Sequence, residues 1–163
     1  MGDVASVRRL AAYNRTVFDR FERAVARRGW KEAAANREIG HLSLKNTLVH
    51  ILNVHEAWLV AVAQDRWEVF DAAGRRPDDV GSFRDLRRYR SRVWDGVDVL
   101  LKGLTDARLR SRVAAPWMPG RYTLEDAFYQ VSFEQAHHLG EIIGALWQSN
   151  WRPPEMTWIR NLP

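Results

Sequence analysis

Residues 123–148 read TLEDAFYQVSFEQAHHLGEIIGALWQ, and this stretch predicts an amphipathic helix. Thr123 is followed three residues later by Asp126, a form of the capping box that marks the start of a helix. The apolar side chains that follow recur at helical spacing; they are Leu124, Ala127, Phe128, Val131, Ala145 and Leu146. We therefore expect a helix with one face turned toward a protein core.

Two polar side chains fall on or beside this apolar face. Glu134 and His138 are separated by four residues, so they lie one turn apart on the same side of the helix and can close on one ion. His137 points about 100° away from His138. A carboxylate and an imidazole that face a core are costly unless something pairs with them. This pair is therefore the first candidate for a functional site.

Three earlier segments also have the apolar spacing of amphipathic helices, and they cover residues 4–28, 44–66 and 83–104. Ser82 and Asp85 repeat the capping-box form at the start of the third segment. Long connections follow the second and third helices, and no convincing alternating strand pattern is present. The sequence therefore predicts an all-α four-helix bundle in one domain, residues 1–163, with residues 148–163 as an extended C-terminal strap.

The composition is that of an ordinary folded protein, with 46% hydrophobic and 28% charged residues among 163. No apolar run approaches the ~20 residues of a membrane span, and no secretory signal is visible at the N-terminus. The chain has no cysteine, which removes disulfides, thiolate metal ligands and cysteine nucleophiles together. We therefore expect a cytoplasmic protein without a membrane partner.

The net charge of +5 raises the question of nucleic-acid binding. The basic residues are mostly arginines, and they are spread along the chain among acidic residues. The densest group is expected on the solvated outer face of a helix, with a phosphate-binding patch as the alternative; it consists of Arg87, Arg88, Arg90 and Arg92. Because neither a recognition-helix motif nor a basic stripe is visible, we expect no nucleic-acid partner.

His50 in the second predicted helix is a candidate third ligand beside Glu134 and His138. Two imidazoles and one carboxylate suit Zn²⁺, and also Ni or non-haem Fe, and they leave a position for water or substrate. Spacing alone keeps the alternatives open, because a lone core histidine is commonly satisfied within the core and acid–histidine pairs are common on solvated helices. His55 lies about 140° around the helix from His50 and cannot join this site without strain. His41, in the loop before the helix, is expected in solvent.

Several motifs occur in a distinctive order along the chain. His137-His138-Leu139-Gly140-Glu141-Ile142 is similar to a His-His-Arg-Gly-Gln-(Ile/Leu) signature, and Leu48-Val49-His50 is similar to a Leu-x-His segment that Glu56 and Trp58 follow. Residues 104–106 and 120–124 look like a connection into a last helix. Together these motifs resemble the DinB/YfiT-like metalloenzymes of the DinB superfamily. The resemblance covers about residues 8–148 and implies the four-helix bundle of that family.

The resemblance also implies a set of metal ligands. The family holds its metal with one histidine of the second helix and a His-x-x-x-His pair of the fourth. His50 and His138 match two of these positions, and Glu134 stands where the family usually has histidine. The implied site is therefore His50, Glu134 and His138 around a divalent metal, Zn or Ni first and Fe as an option. His137 matches a histidine that is not a ligand. Glu141, in place of the usual Gln, is expected at the bundle edge, with a hydrogen bond to a metal ligand as the alternative.

For function, the resemblance implies a metal-dependent enzyme that acts on a small molecule, either a thiol-dependent transferase or a hydrolase. Family members use low-molecular-weight thiols such as bacillithiol and mycothiol, and a chain without cysteine would take its thiol from such a co-substrate. The alternative is a non-catalytic DinB-like bundle with a degenerate metal site, which acts through homodimeric association or in a stress response. We expect a homodimer.

Overall fold

The computed structural model describes residues 2–68 and 76–161. In these ranges the α-helices are, in chain order, α1 (Val4–Ala26), α2 (Trp30–Ala34), α3 (Leu44–His55), α4 (Phe83–Lys102), α5 (Asp106–Leu109) and α6 (Leu124–Gln148). Helices α1, α3, α4 and α6 are the long ones, and each lies within a segment predicted to be helical. The all-α class predicted from the apolar spacing is therefore confirmed.

The predicted helix starts are formed by short polar side chains. At α6 the capping box is complete: the Asp126 amide donates to Thr123 Oγ1 over 3.1 Å, and the Thr123 amide donates to Asp126 Oδ2 over 2.8 Å. At α4 the Ser82 hydroxyl accepts from the Asp85 amide and donates to the Asp85 carboxylate. These local bonds satisfy amides that have no partner inside the helix.

The long helices enclose one apolar core. Both α1 and α3 pack against α4 and α6. The side chains that fill the space between them include Phe18, Phe21, Leu48, Leu52, Leu86 and Phe128, all of which are fully buried. Each such side chain contributes roughly 1.5–3 kcal/mol when it leaves water. The packing of α3 against α6 brings the two predicted ligand helices into contact.

The second predicted helix changes its winding halfway along. After α3 it continues as a π-helix, Glu56–Val62, in which the Ala63 amide donates to the Trp58 carbonyl over 3.0 Å. The expectation of one uniform helix over residues 44–66 is thus wrong for its second half. A π-turn adds one residue to the hydrogen-bonded ring without changing which residue types are apolar, so the apolar pattern does not reveal it.

The long connections after the second and third predicted helices are present. The first contains a 3₁₀ turn, Pro77–Asp79, and part of it lies outside the described residues. The second carries a short antiparallel ladder between β1 (Arg112–Val113) and β2 (Tyr122–Thr123). The sequence did not predict this ladder, because strands of two residues are too short to show an alternating pattern.

The described part of the C-terminal segment lies against α1. The Tyr13 hydroxyl donates to the Met156 carbonyl, and the Tyr13 and Trp158 rings are 4.8 Å apart between centroids. A 3₁₀ turn, Ile159–Asn161, also contacts α1. Residues 162 and 163 lie outside the described part of the chain. Among the described helices, none is both long and apolar enough to cross a membrane.

The arginines of α4 pair with acids of neighbouring helices. Arg87 Nε lies 2.9 Å from a carboxylate oxygen of Glu22, a fully buried residue of α1 that Arg90 also binds. Arg92 lies 3.0 Å from Glu56 at the start of the π-helix. Arg87 and Arg92 are exposed, as expected of a solvated face, and Arg90 is half-buried. These arginines thus combine exposure to solvent with ion pairs to neighbouring helices.

Candidate metal centre

Three histidines from three different elements meet at one place. His41 comes from the loop before α3, His50 from α3 and His138 from α6. One ring nitrogen of each lies within 4.8 Å of the corresponding nitrogens of the other two. The His41 and His50 rings stack with their centroids 3.9 Å apart, and the His138 ring meets His50 edge-on at 4.5 Å. The three nitrogens are therefore close enough together to be candidate ligands of one ion.

The loop before α3 is folded tightly against α6. The Arg37 amide donates to the Leu42 carbonyl over 2.7 Å, and Leu42 adopts a φ of 67° that few side chains tolerate. Gly40 lies directly against Glu141 of α6, where an added Cβ would be 2.5 Å from a carboxylate oxygen. A side chain at residue 40 would therefore displace the Glu141 carboxylate, which lies beside His138.

A carboxylate faces each ring nitrogen of His138. Nδ1 lies 3.0 Å from Glu141 Oε2, and Nε2 lies 3.4 Å from Glu134 Oε2. Gln130 holds the other oxygen of Glu134 with a 3.0 Å hydrogen bond. The shorter contact favours the tautomer in which Nδ1–H donates to Glu141, which leaves the Nε2 lone pair free on the side of Glu134. A carboxylate behind a metal-binding histidine is the usual arrangement in metal sites.

The surroundings of His50 and His41 favour the neutral forms of these two imidazoles by lowering their pKa values. Burial is the main cause that lowers the pKa of His50 to about 4, and the neighbouring His41 and His138 add to it. The pKa of His41 is also lowered, first by burial and then by His138. Histidine binds a metal only through a neutral ring nitrogen. At neutral pH, therefore, no proton has to leave His50 before an ion binds.

The sequence-predicted residues are only partly brought together by the fold. His50 and His138 are in contact, and Glu134 lies against His138 rather than between the two rings. The third imidazole beside His50 and His138 is that of His41, so the expectation that His41 lies in solvent is wrong. In the sequence, only the glycine before His41 hints at this position. The path of the loop depends on contacts with α6, which local sequence patterns do not show. Whether Glu134 is a ligand stays a prediction.

Two further expectations concern the neighbours of His138. His137 is largely exposed, with its Nε2 3.7 Å from a Glu141 oxygen, so it belongs to the solvent side of α6. Glu141 is half-buried and accepts from His138, a closer role than the bundle-edge position expected for it. His137, His138 and Glu141 also form a second group with ligand atoms within 4.8 Å. We favour the three-histidine group because its residues come from three different elements, whereas the residues of the second group all lie on α6.

His55 lies outside the cluster. Its ring is buried against Trp94, and its Nε2 lies 3.0 Å from the side-chain oxygen of Gln135. Gln135 in turn donates to the Asn14 carbonyl of α1 over 2.9 Å. Burial lowers the pKa of His55 to about 4, although the bond to Gln135 opposes this shift. His55 thus helps to tie α3, α6 and α1 together through a buried polar chain.

The donor set fits a divalent transition metal. Neutral imidazole nitrogens suit Zn, Ni and Fe, and the adjacent Glu134 offers an oxygen of the kind found in catalytic sites. Hard ions such as Ca²⁺ prefer six or more oxygen ligands, which these residues do not offer. The long helices surround one core, and imidazoles from three elements meet beside two carboxylates. The protein therefore belongs to the class of helical proteins with a candidate metal centre.

The comparison with protein families agrees with this class. The family model described as the DinB superfamily matches residues 13–142, so the chain belongs to the DinB superfamily. The resemblance drawn from the motifs around His50 and His138 is therefore confirmed. No curated protein matches the chain.

Proposed function

We propose that this protein is a metal-dependent enzyme whose four long helices form the four-helix bundle of the DinB superfamily. A divalent metal, Zn or Ni first and Fe as an option, is held by ring nitrogens of His41, His50 and His138. Glu134 lies beside the metal and is either a fourth ligand or a proton acceptor. The observation that carries the proposal is the convergence of three imidazole nitrogens within 4.8 Å from separate elements.

His41, His50 and His138 would hold the metal, which would supply Lewis acidity that lowers the pKa of a water or thiol toward neutral pH. The surrounding residues support this chemistry. Glu141 Oε2 accepts from His138 Nδ1 and so fixes the ring orientation. Glu134, which Gln130 orients, presents an oxygen that can take up a proton from a bound nucleophile. His50, neutral because of its burial, needs no prior deprotonation.

The substrate is a small molecule, and the reaction is a thiol-dependent transfer or a hydrolysis. The chain contains no cysteine, so a sulfur nucleophile has to come from a low-molecular-weight thiol. The proposal places the protein in the cytoplasm, where such thiols are kept reduced. It includes neither a membrane nor a nucleic-acid partner, in keeping with the internal pairing of the arginines of α4.

Metal analysis of purified variants tests the proposal. After incubation with Zn²⁺ or Ni²⁺ and removal of excess ion, the wild type should retain about one metal per chain, and His138→Ala should retain none. His137→Ala is the matched control, because it removes the exposed neighbour and should bind like the wild type. Metal-free wild-type protein under all of these conditions would refute the metal-dependent enzyme.

Two further variants separate the candidate third ligands. If His41 is the ligand, His41→Ala should lower metal affinity at least tenfold, while Glu134→Gln should bind metal with nearly unchanged affinity and lose activity. If the family pattern holds instead, Glu134→Gln should lose the metal. Thiol-transfer assays with bacillithiol, mycothiol and glutathione, with hydrolysis followed in parallel, then identify the reaction type.

A non-catalytic DinB-like bundle is the second candidate. The observation that favours it is Glu134, which stands where the family usually has a histidine ligand. In this case the protein acts by homodimeric association, for example in a stress response, and its metal site is degenerate. Stable dimers that bind no metal and turn over no thiol substrate would support this candidate against the enzyme.

A further inference from the structure

A cleft lined by arginines lies between α1 and the C-terminal segment. Its volume is about 440 Å³, within the range of clefts that hold small ligands. The arginines that line it are Arg20 and Arg23 of α1, Arg27 directly after the end of α1, and Arg152 of the C-terminal segment. The remaining lining residues are Pro153, Pro154 and Glu155. We call this cleft the arginine cleft.

The charges of these four arginines are not matched within the described part of the chain. In residues 2–68 and 76–161, no acidic side chain forms a salt bridge with any of them. Arg90 of α4 differs, because it pairs with the buried Glu22. Glu155, an acid that also lines the cleft, lies 2.9 Å from Arg160, which matches its charge. The cleft therefore carries four positive charges that await an anion.

Helical spacing brings three of the arginines to one side of α1. Arg20, Arg23 and Arg27 follow one another at steps of three and four residues, so at about 100° per residue they fall within a sector of about 60°. Like charges this close on a helix repel one another. The helix dipole favours basic residues at the C-terminal end of α1, which suits Arg23 and Arg27. It explains neither Arg20, farther from that end, nor Arg152, whereas one anion in the cleft accounts for all four.

Contacts on both sides of Arg152 hold the C-terminal segment against the rest of the chain. On one side, the Trp151 ring packs against the Arg28 guanidinium, whose carbon lies 4.8 Å from a ring centroid. On the other side, the Met156 carbonyl accepts a hydrogen bond from the Tyr13 hydroxyl of α1. The backbone of Arg152 is therefore in place at the cleft before a ligand arrives. A site that is organised in advance loses less affinity to the ordering of its residues.

We propose that the arginine cleft binds a small molecule that carries a diphosphate group. A guanidinium binds phosphate oxygens through two parallel hydrogen bonds. Two linked phosphate groups carry about three to four negative charges near neutral pH, which matches the four arginines. A compact anion suits charges that surround one cleft, whereas a nucleic-acid backbone is met by an extended basic stripe. The site shares no residue with the candidate metal centre and is independent of the proposed function.

Calorimetric titration with inorganic pyrophosphate at physiological salt tests the site. The wild type should bind pyrophosphate at least about tenfold more tightly than inorganic phosphate, because a single phosphate group engages fewer guanidiniums. Arg152→Gln and Arg23→Gln, both at exposed positions, should each weaken pyrophosphate binding at least about tenfold. The matched control is Arg9→Gln, which removes the same charge from an exposed residue of α1 outside the cleft and should bind like the wild type. A wild type that does not bind pyrophosphate, or an equal loss in all three variants, would overturn the proposal.

Three further titrations separate the arginine cleft from other anion sites. His138→Ala should bind pyrophosphate like the wild type, and a loss of binding in this variant would overturn the proposal by placing the anion at the metal centre. ADP distinguishes the two sources of a diphosphate group: tighter binding than that of pyrophosphate indicates an organic ligand, and equal binding indicates recognition of the diphosphate alone. Both results support the proposal when Arg152→Gln abolishes the binding. A short DNA duplex that binds more tightly than pyrophosphate and depends on Arg152 would overturn it in favour of a nucleic-acid surface.

Discussion

Titration of His50 is the most direct check on the electrostatics of the candidate metal centre. An exposed histidine has a pKa near 6.5, whereas burial first, and then His41 and His138, lower the pKa of His50 to about 4. At pH 5.5 an ordinary histidine is about nine-tenths protonated, and as a metal ligand it would weaken binding about tenfold. His50 should remain neutral at that pH and contribute almost nothing to the loss of affinity.

Proton NMR of the metal-free protein measures this pKa. The chain has five histidines, so the His50 ring signal can be assigned by its disappearance in His50→Gln. A short histidine peptide in the same buffer gives the ordinary midpoint. We expect the His50 signal to shift only below about pH 5, while a signal that titrates near pH 6.5 would refute the buried, three-histidine cluster.

Three further predictions concern the fold around the site. As the pH falls from 6.5 toward 4, the free energy of unfolding of the wild type should fall by up to about 3 kcal/mol. His55→Gln should not show this loss. The reason is that His55 takes up a proton in the unfolded chain over this pH range, whereas burial keeps the folded ring neutral with a pKa of about 4. Urea titrations in which the wild type and His55→Gln lose the same free energy of unfolding would contradict this. Glu22→Gln should lower the free energy of unfolding by about 2 kcal/mol, because it weakens the ion pairs of the buried Glu22 with Arg87 and Arg90. Arg88→Gln, on the exposed side of α4, should not have this effect. Gly96→Ala should lower the thermal midpoint because its Cβ would clash with Val60, and a Val60→Ala background should remove the penalty.

The helices were predictable because their signals are local. A capping side chain and its amide partner are three residues apart, as Thr123 and Asp126 are, and an apolar face repeats every three or four residues. Both signals can be seen without knowledge of the rest of the chain. The π-helix Glu56–Val62 was not predicted, because an extra residue in the hydrogen-bonded turn leaves no mark in the spacing of apolar residues.

Some residues of the candidate site also have local signals in the sequence, and others do not. His50 and His138 could be selected because each stands at a recognisable position of a predicted helix and of a family motif. For Glu141 the sequence left a position at the bundle edge and a hydrogen bond to a ligand as alternatives, and the contact with His138 agrees with the second. Glu134 was selected by its i, i+4 spacing, and the structure puts it against His138 while leaving its role to experiment.

The sequence by itself determined the long helices, their starts, the class of the fold and the two histidines that face each other across α3 and α6. Only the tertiary structure decided that His41 joins them. Its position depends on a loop in which Leu42 has a positive φ and Gly40 lies against the Glu141 side chain of α6, about a hundred residues further along the chain. Contacts between such distant residues are decided by the packing of whole helices, so short-range patterns in the sequence carry almost no record of them.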